Sequence, residues 1–268
     1  MGLTVRDLDR SIDFYERTIG FEPLARDGAE ATLGAGGKAL VALHGAPRAP
    51  VRPRRTTGLF HFAILVPSRP ELARSLIRLA ERRWPLSGAA DHLVSEALYL
   101  SDPDGIGIEI YRDRSREEWP RDDGTIRIRN HPLDFDSLLA EPRDGYAPIA
   151  AATRIGHVHL NVADLDASER FWCDLVGFEV TVRAYPGALF VAAGGYHHHL
   201  GLNTWNGPGV PAPPEGAIGL RRFALEVPDG AAGEARGRLV AAGAEVDGGD
   251  EGWVARDPAG IAVEVAEA

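Results

Sequence analysis

The chain has 268 residues, of which 44% are hydrophobic and 25% charged, as is typical of a soluble globular protein with one large or two ordinary domains. Its formal net charge of -10 argues against nucleic acid as a partner, because binding to phosphates needs a basic face. The single cysteine, Cys173, excludes an internal disulfide, and no stretch resembles a membrane span or a signal peptide. We therefore expect a cytoplasmic protein.

The first predicted elements, a strand and a helix within residues 1–22, occur twice in the chain. The sequence MGLTVRDLDRSIDFYERTIGFE recurs 157 positions later as VHLNVADLDASERFWCDLVGFE, with ten identical residues in register. Each copy predicts a strand and then a helix that begins near an aspartate and ends at Gly20 or Gly177. Ten matches are too many for coincidence, so the chain contains an internal duplication.

Two weaker matches extend the duplication: residues 61–67 resemble 222–228, and residues 102–109 resemble 257–264. After the first of these strands, Ser68 and Glu71 have the spacing of a capping box and predict the start of another helix. The chain therefore divides into four units of a strand, a helix and further strands, near residues 1–46, 58–112, 154–205 and 219–267.

The stretch of residues 90–111 contains two alternating apolar runs around the turn sequence DPDG, which predicts a β-hairpin. On its second strand the period of two places Glu109 and Tyr111 on one face, and the first strand adds Tyr99 to that side. With His92 nearby, we expect a carboxylate, a phenol and an imidazole to converge on one surface.

A family signature is visible in the spacing of His92, Leu98-Tyr99, Asp102-Pro103, Gly105 and Glu109. This spacing resembles that of type I extradiol ring-cleaving dioxygenases, although Ala90 departs from the pattern. These enzymes belong to the vicinal oxygen chelate superfamily, which also contains glyoxalase I and bleomycin-resistance proteins. The resemblance implies that Glu109 is an iron ligand and that His92 and Tyr99 contact the catecholate.

The resemblance extends over nearly the whole chain. Residues 58–65, 91–111, 156–160 and 194–205 follow the order of motifs in two-domain catechol 2,3-dioxygenase-like bacterial proteins. It implies an α+β fold in which four βαβββ modules pair into two vicinal oxygen chelate domains with curved mixed sheets. We expect an N-terminal domain over 1–112, a linker over 113–153 with a short helix near 135–141, and a C-terminal domain over 154–268.

In this superfamily the metal ligands come from the first and last strands of paired modules, so the resemblance implies two candidate sites. In the N-terminal half these positions hold His61 and Glu109, and the expected third histidine falls just before Met1. Either the first strand is clipped or this half never had a third ligand. The alternative for His61 and Glu109 is a buried hydrogen-bonded pair.

In the C-terminal half the matching set is His157, His199 and Glu264, which is two histidines and one carboxylate. The alternative is a histidine-lined pocket for an organic ligand. His44 and His131 lack such support and are predicted to be surface residues. The predicted substrate contacts are His159, His197, Asn203 and Tyr111.

The leading hypothesis is a metal-dependent extradiol dioxygenase that acts on a small aromatic substrate and O2, with Fe(II) as cofactor. His92 would serve as acid or base, since its unperturbed pKa lies near neutrality. A second hypothesis is a glyoxalase-type isomerase or a thiol transferase that uses Mn, Ni or Zn. A third is a metal-free drug-binding or resistance protein, and a homodimer is compatible with each of the three.

Overall fold

The computed structural model describes residues 1–122, 124–142 and 148–267, and its first half contains two βαβββ modules. The first module comprises β1 (Gly2–Val5), α1 (Leu8–Asp13) with a π-helical turn (Phe14–Ile19), β2 (Glu22–Asp27), β3 (Glu30–Ala35) and β4 (Lys38–Gly45). The second comprises β5 (Gly58–Leu65), α2 (Arg69–Glu81), β6 (Gly88–Asp91), β7 (Ser95–Ser101) and β8 (Gly107–Asp113).

Short elements follow: a 3-10 turn (Arg116–Glu118), β9 (Arg121–Asp122), β10 (Thr125–Ile126) and α3 (Phe135–Leu139). The third module comprises β11 (Arg154–Asn161), α4 (Leu165–Glu169) with a π-helical turn (Arg170–Val176), β12 (Glu179–Val182), β13 (Ala188–Ala192) and β14 (Leu200–Asn203). The fourth comprises β15 (Gly219–Val227), α5 (Ala231–Ala241), β16 (Val246–Gly248), β17 (Gly252–Arg256) and β18 (Ala262–Glu267). The predicted α+β class with four βαβββ modules is confirmed.

The duplicated helices begin and end as their sequences predict. The Asp7 side chain accepts a hydrogen bond from the backbone N–H three residues on, and Asp164 does the same in the third module. Gly20 and Gly177 end the two helices with φ of 94° and 109°, a left-handed conformation that favours glycine. The π-helical turns that precede these glycines were not predicted from the periodicity.

The chain forms two compact units. Unit A contains residues 5–48 and 60–158, and unit B contains residues 1–4, 49–59 and 159–268. The predicted domain boundaries, after residue 112 and before residue 154, stay a prediction.

In unit A one set of strands has the order β11-β5-β8-β7-β6. In this set β5 and β8 run parallel, whereas β8 and β7, and β7 and β6, are antiparallel. A second, antiparallel set has the order β4-β3-β2.

Unit B repeats this arrangement with its own strands. In the first set, with the order β16-β17-β18-β15-β1, β15 runs parallel to β18. The pairs β18 with β17, β17 with β16, and β1 with β15 are antiparallel. The second set has the order β12-β13-β14 and is antiparallel. Both units therefore contain parallel as well as antiparallel strand pairs, and in the second and fourth modules the first and last strands run parallel.

An arginine side chain stabilises the end of a π-helical turn in each unit, buried in unit A and partly exposed in unit B. In unit A, Arg78 of α2 is 4% exposed and its guanidinium donates to the carbonyl of Ile19, 2.7 Å away. In unit B, Arg238 of α5 donates to the carbonyls of Leu175 and Val176. The carbonyls at a helix end lack partners within the helix, so each arginine supplies hydrogen-bond donors that the helix itself cannot provide.

The segment between the second and third modules packs against its surroundings. Trp119 is 5% exposed, and its indole N–H donates to the carbonyl of Arg114. Further buried side chains among the described residues of this segment are Ile126, Ile128, Leu133, Leu138, Ile149 and Thr153. The predicted short helix is confirmed as α3, with the Asp134 side chain as its cap. Residues 123 and 143–147 of the predicted linker lie outside the described residues.

The predicted capping box of α2 is wrong. The helix does begin after Ser68 and has a proline in its first turn, but the Ser68 side chain makes no capping hydrogen bond. Glu71 instead pairs with Arg74, three residues further along the same helix.

Among the described residues, no helix has the length and the apolar character that crossing a membrane would require.

Candidate metal centre

Three buried side chains meet within unit A. His61 Nε2 lies 2.9 Å from Glu109 Oε2, and His157 Nε2 lies 3.1 Å from the same oxygen. Their exposed fractions are 7%, 3% and 4% for His61, Glu109 and His157. Within the described ranges, this is the one group of three or more His, Cys, Asp or Glu residues whose ligand atoms all lie within 4.8 Å of one another.

The order of the strands explains why these residues meet. His61 lies on β5, which has β8 on one side and β11 on the other, and these neighbours carry Glu109 and His157. Ala63 is directly opposite Glu109, and the period of two places His61 on the same face as Ala63. A Cβ on Gly107 would overlap the carbonyl oxygen of Phe60, so glycine is needed where β8 approaches β5.

Tyr111 supports the His157 ring. The two ring centroids are 4.8 Å apart, and Tyr111 is 0% exposed. A Cβ on Gly156 would overlap the Tyr111 hydroxyl, so the residue before His157 has to be glycine. Tyr111 also belongs to a buried hydrophobic cluster with Ala63, Leu65 and Ala97. Its predicted contact with substrate stays a prediction.

The charge of Glu109 depends on the two imidazoles. Burial raises the pKa of this carboxyl, but the charges and hydrogen bonds of His157 and His61 outweigh burial and hold the pKa well below its usual value. Glu109 is therefore ionised at neutral pH. A buried carboxylate needs a cationic or hydrogen-bonding partner, and here two imidazole nitrogens and any bound cation can fill that role.

The three residues fit a divalent metal ion. Imidazole nitrogens and carboxylate oxygens bind such ions at about 2.0–2.2 Å, so two ligand atoms at right angles around an ion are about 3 Å apart. The 2.9 Å and 3.1 Å separations to the Glu109 oxygen match this geometry. Two histidines and one carboxylate form the facial set that leaves positions open for other molecules.

The predicted pair of His92 and Tyr99 forms beside this group. His92 Nε2 lies 2.6 Å from the Tyr99 hydroxyl oxygen, and both residues are partly buried. Tyr99 is the direct cross-strand partner of Glu109, so their side chains leave the same face, which confirms the predicted hairpin geometry. The Tyr99 ring centroid is also 5.6 Å from that of His61.

The other predicted substrate contacts lie in unit B. The ring centroid of His159 is 5.2 Å from that of Trp205, whose backbone N–H donates to the Asn203 side-chain oxygen. His197 is 0% exposed, and its Nδ1 lies 2.8 Å from Nδ1 of His198. The structure thus places these residues in a histidine-rich and aromatic part of unit B, and their roles stay predictions.

The two remaining predicted ligands have other partners in unit B. His199 Nδ1 accepts a hydrogen bond from the Ala193 N–H at 3.2 Å. Glu264 pairs with Arg222 at 3.3 Å, and their side chains are 41% and 63% exposed. The ligand set of His157, His199 and Glu264 stays a prediction.

The sequence did not indicate that His157 would lie beside His61 and Glu109. The duplication aligns His157 with the position before Met1, where a third ligand was expected, but no pattern indicates that β11 lies beside β5. A further feature, the backbone carbonyl of Arg129 near His92, carries no sequence signal at all. As predicted, His131 is exposed, and His44 pairs at the surface with Glu30.

The fold and this group of residues define a protein built of βαβββ modules around a candidate divalent-metal site. The sequence model of the Glyoxalase/Bleomycin resistance protein/Dioxygenase superfamily matches residues 1–110 and 154–265. The chain therefore belongs to this superfamily, as the resemblance of its motifs predicted.

Individual relatives agree with this assignment. A protein of Bacillus subtilis (strain 168) named Catechol-2,3-dioxygenase is 47% identical over 232 residues, which cover 84% of this chain and 81% of that protein. A crystal structure from Bacillus subtilis aligns with 100% of this chain and 83% of its own, with a TM-score of 0.67 and 14% identity. Glyoxalase I from Zea mays aligns with 99% of this chain and 90% of its own, with a TM-score of 0.58 and 17% identity. The two structures show the fold.

Proposed function

We propose that the chain is a metal-dependent extradiol dioxygenase that cleaves the ring of a catechol-like substrate with O2. One observation carries the proposal: two imidazole nitrogens and one carboxylate converge, buried, at the separations that a divalent ion requires. The 47% identity to a protein named Catechol-2,3-dioxygenase supports the same reaction. Three protein ligands also favour it over a glyoxalase-type reaction, for which four ligands are expected.

The proposed ligands are His61, Glu109 and His157, and the proposed ion is iron(II). Bound there, iron(II) would supply the redox chemistry by which both atoms of O2 are inserted as the carbon–carbon bond beside the diol breaks. With the ion bound, Glu109 would contribute one negative charge, and the two imidazoles, which bind a metal only in their neutral form, would contribute none. Burial of all three residues keeps bulk water away from the reacting groups.

His92 and Tyr99 are proposed to contact the substrate. The Tyr99 hydroxyl leaves the same sheet face as Glu109 and can form a hydrogen bond with a ring oxygen. His92 is within hydrogen-bond distance of that hydroxyl, so it can hold or release a proton through Tyr99. The pair would orient the diol and move a proton while the ligand residues hold the metal.

The duplication supplies a matched test of this proposal. Glu109 and Glu264 occupy the same position in the second and fourth modules, but only Glu109 lies beside two histidines. Loss of a hydrogen-bond partner of a ligand typically costs 10–100-fold, so E109Q, which removes a ligand, is expected to cost at least about 100-fold in kcat/KM for catechol. E264Q is expected to keep both iron content and activity.

The measurements are metal content of the purified proteins and formation of the yellow ring-cleavage product after loading with iron(II). If E264Q loses iron and E109Q retains it, the C-terminal ligand set is the correct one. A wild-type chain that binds iron but is inert to a panel of diols refutes the dioxygenase. Another divalent ion in the native protein would favour the isomerase or transferase, and no metal would favour a binding protein.

A further inference from the structure

The His92 ring is held between two oxygen atoms of different kinds. Its Nδ1 lies 3.2 Å from the backbone carbonyl oxygen of Arg129, and its Nε2 lies 2.6 Å from the Tyr99 hydroxyl. A carbonyl oxygen can only accept a hydrogen bond, so Nδ1 has to be the nitrogen that carries the proton. In the neutral ring Nε2 is then unprotonated, and it accepts a hydrogen bond from the Tyr99 hydroxyl.

The carbonyl of Arg129 is fixed because its segment pairs with the end of β6. Asp91 and His131 exchange two backbone hydrogen bonds, each of 2.9 Å. The Arg129 N–H also donates to the carbonyl of His92. The Asp91 side chain pairs with Arg114 at 2.6 Å, which ties the same strand end to the residue after β8. Segment 129–131 is therefore held in register with His92 by the backbone.

The backbone next to His92 has an uncommon conformation. Leu93 has a φ of 71°, a left-handed conformation that residues with a side chain rarely adopt. The Asp91 side chain accepts from the Leu93 N–H at 2.8 Å, and the His92 N–H donates to the Ser95 carbonyl at 2.8 Å. Such outliers persist where the surroundings impose them, often at functional sites. The surroundings here determine the direction of the His92 ring.

We infer that segment 129–131 is a positioning element that selects the Nδ1–H tautomer of His92. With this tautomer the Tyr99 proton is directed to His92, so the Tyr99 oxygen presents its lone pairs to a hydroxyl group of the substrate. The use of Tyr99 in substrate binding rests on the proposed function. The assignment of the tautomer does not depend on the proposed function, because it follows from the contacts of His92 within unit A.

Nuclear magnetic resonance of the histidine ring nitrogens tests this inference, since protonated and bare nitrogens differ in chemical shift. The sample is the full chain loaded with zinc, which is diamagnetic, and the His92 signals are those missing from H92Q. At a pH where His92 is neutral, Nδ1 is expected to be protonated and Nε2 bare. The same tautomer is expected in Y99F, because the Arg129 carbonyl remains in place.

A proline variant tests the role of the segment. H131P removes the N–H that donates to Asp91 and is expected to shift the tautomer ratio towards Nε2–H by about 2- to 10-fold, the size of one lost hydrogen bond. F135P is the matched control, since Phe135 is exposed at the first position of α3, where proline is tolerated. It is expected to leave the ratio unchanged.

Three results would overturn the inference: an Nε2–H tautomer in the wild type, a switch to Nε2–H in Y99F, or an unchanged ratio in folded H131P. If H131P does not fold, the first two measurements still decide. An Nδ1–H tautomer in a chain without ring-cleaving activity would refute the proposed function and leave the positioning role intact.

Discussion

The unfolding free energy of this protein is expected to depend on pH through the buried side chain of Asp102, which lies at the tip of the hairpin between β7 and β8. Its Oδ1 accepts hydrogen bonds from the backbone N–H groups of Asp104 and Ile106, and its Oδ2 accepts from the Tyr15 hydroxyl. Asp102 is 4% exposed, and burial raises its pKa from 3.8 to about 6. D102N keeps an oxygen acceptor for the turn and removes the buried charge.

The magnitude follows from the two pKa values. A group that titrates near 6 in the folded chain and near 3.8 in the unfolded chain differs by about 2 units, which at 1.36 kcal/mol per unit is about 3 kcal/mol. Because the folded pKa is the higher one, the folded chain binds more protons between these pH values. The wild-type stability therefore falls as pH rises from 3.8 to 6 and loses nothing further from Asp102 above that range.

The assay is urea unfolding of wild type and D102N, both treated with chelator so that metal binding does not contribute. D102N is expected to be more stable by up to about 3 kcal/mol above pH 7, and the advantage is expected to vanish near pH 3.5. Asp257, whose pKa burial also raises to about 6, occupies the same position in the fourth module, so D257N is expected to behave alike. An advantage of D102N that is the same at both pH values would refute this reasoning.

Two further predictions concern the packing around the site and the arginine that recurs in the two units. G156A places a methyl group on the Tyr111 hydroxyl, so we expect a loss of about 1–3 kcal/mol in unfolding free energy together with weaker metal binding by titration. Y111F in the same chain should restore part of both, and no restoration would contradict the assigned clash. R78M removes the donor to the Ile19 carbonyl and should cost about 1.5–3 kcal/mol in urea unfolding. The Arg238 side chain is 40% exposed, so R238M should cost less unfolding free energy than R78M. Equal losses in the two variants would contradict the assumption that burial strengthens the contribution of Arg78.

Much of the local structure could be predicted from the sequence because it depends on few neighbouring residues. The aspartate caps, the terminal glycines and the alternation of the 90–111 hairpin each act within a few positions of the chain. The common face of Tyr99 and Glu109 was predicted for this reason. The capping box at Ser68 shows the limit, since Glu71 took Arg74 as its partner and the same spacing produced a different contact.

By itself, the sequence determined the four modules, their order and the residue types that could bind a metal, because repeats and periodicity are properties of the chain alone. Only the tertiary structure decided that β11 lies beside β5 and brings His157 to Glu109, 48 positions away. It also decided that the carbonyl of Arg129 meets His92. The physical reason is that backbone pairing between distant strands uses groups that every residue carries, so the choice of neighbour is made by the packing of whole modules.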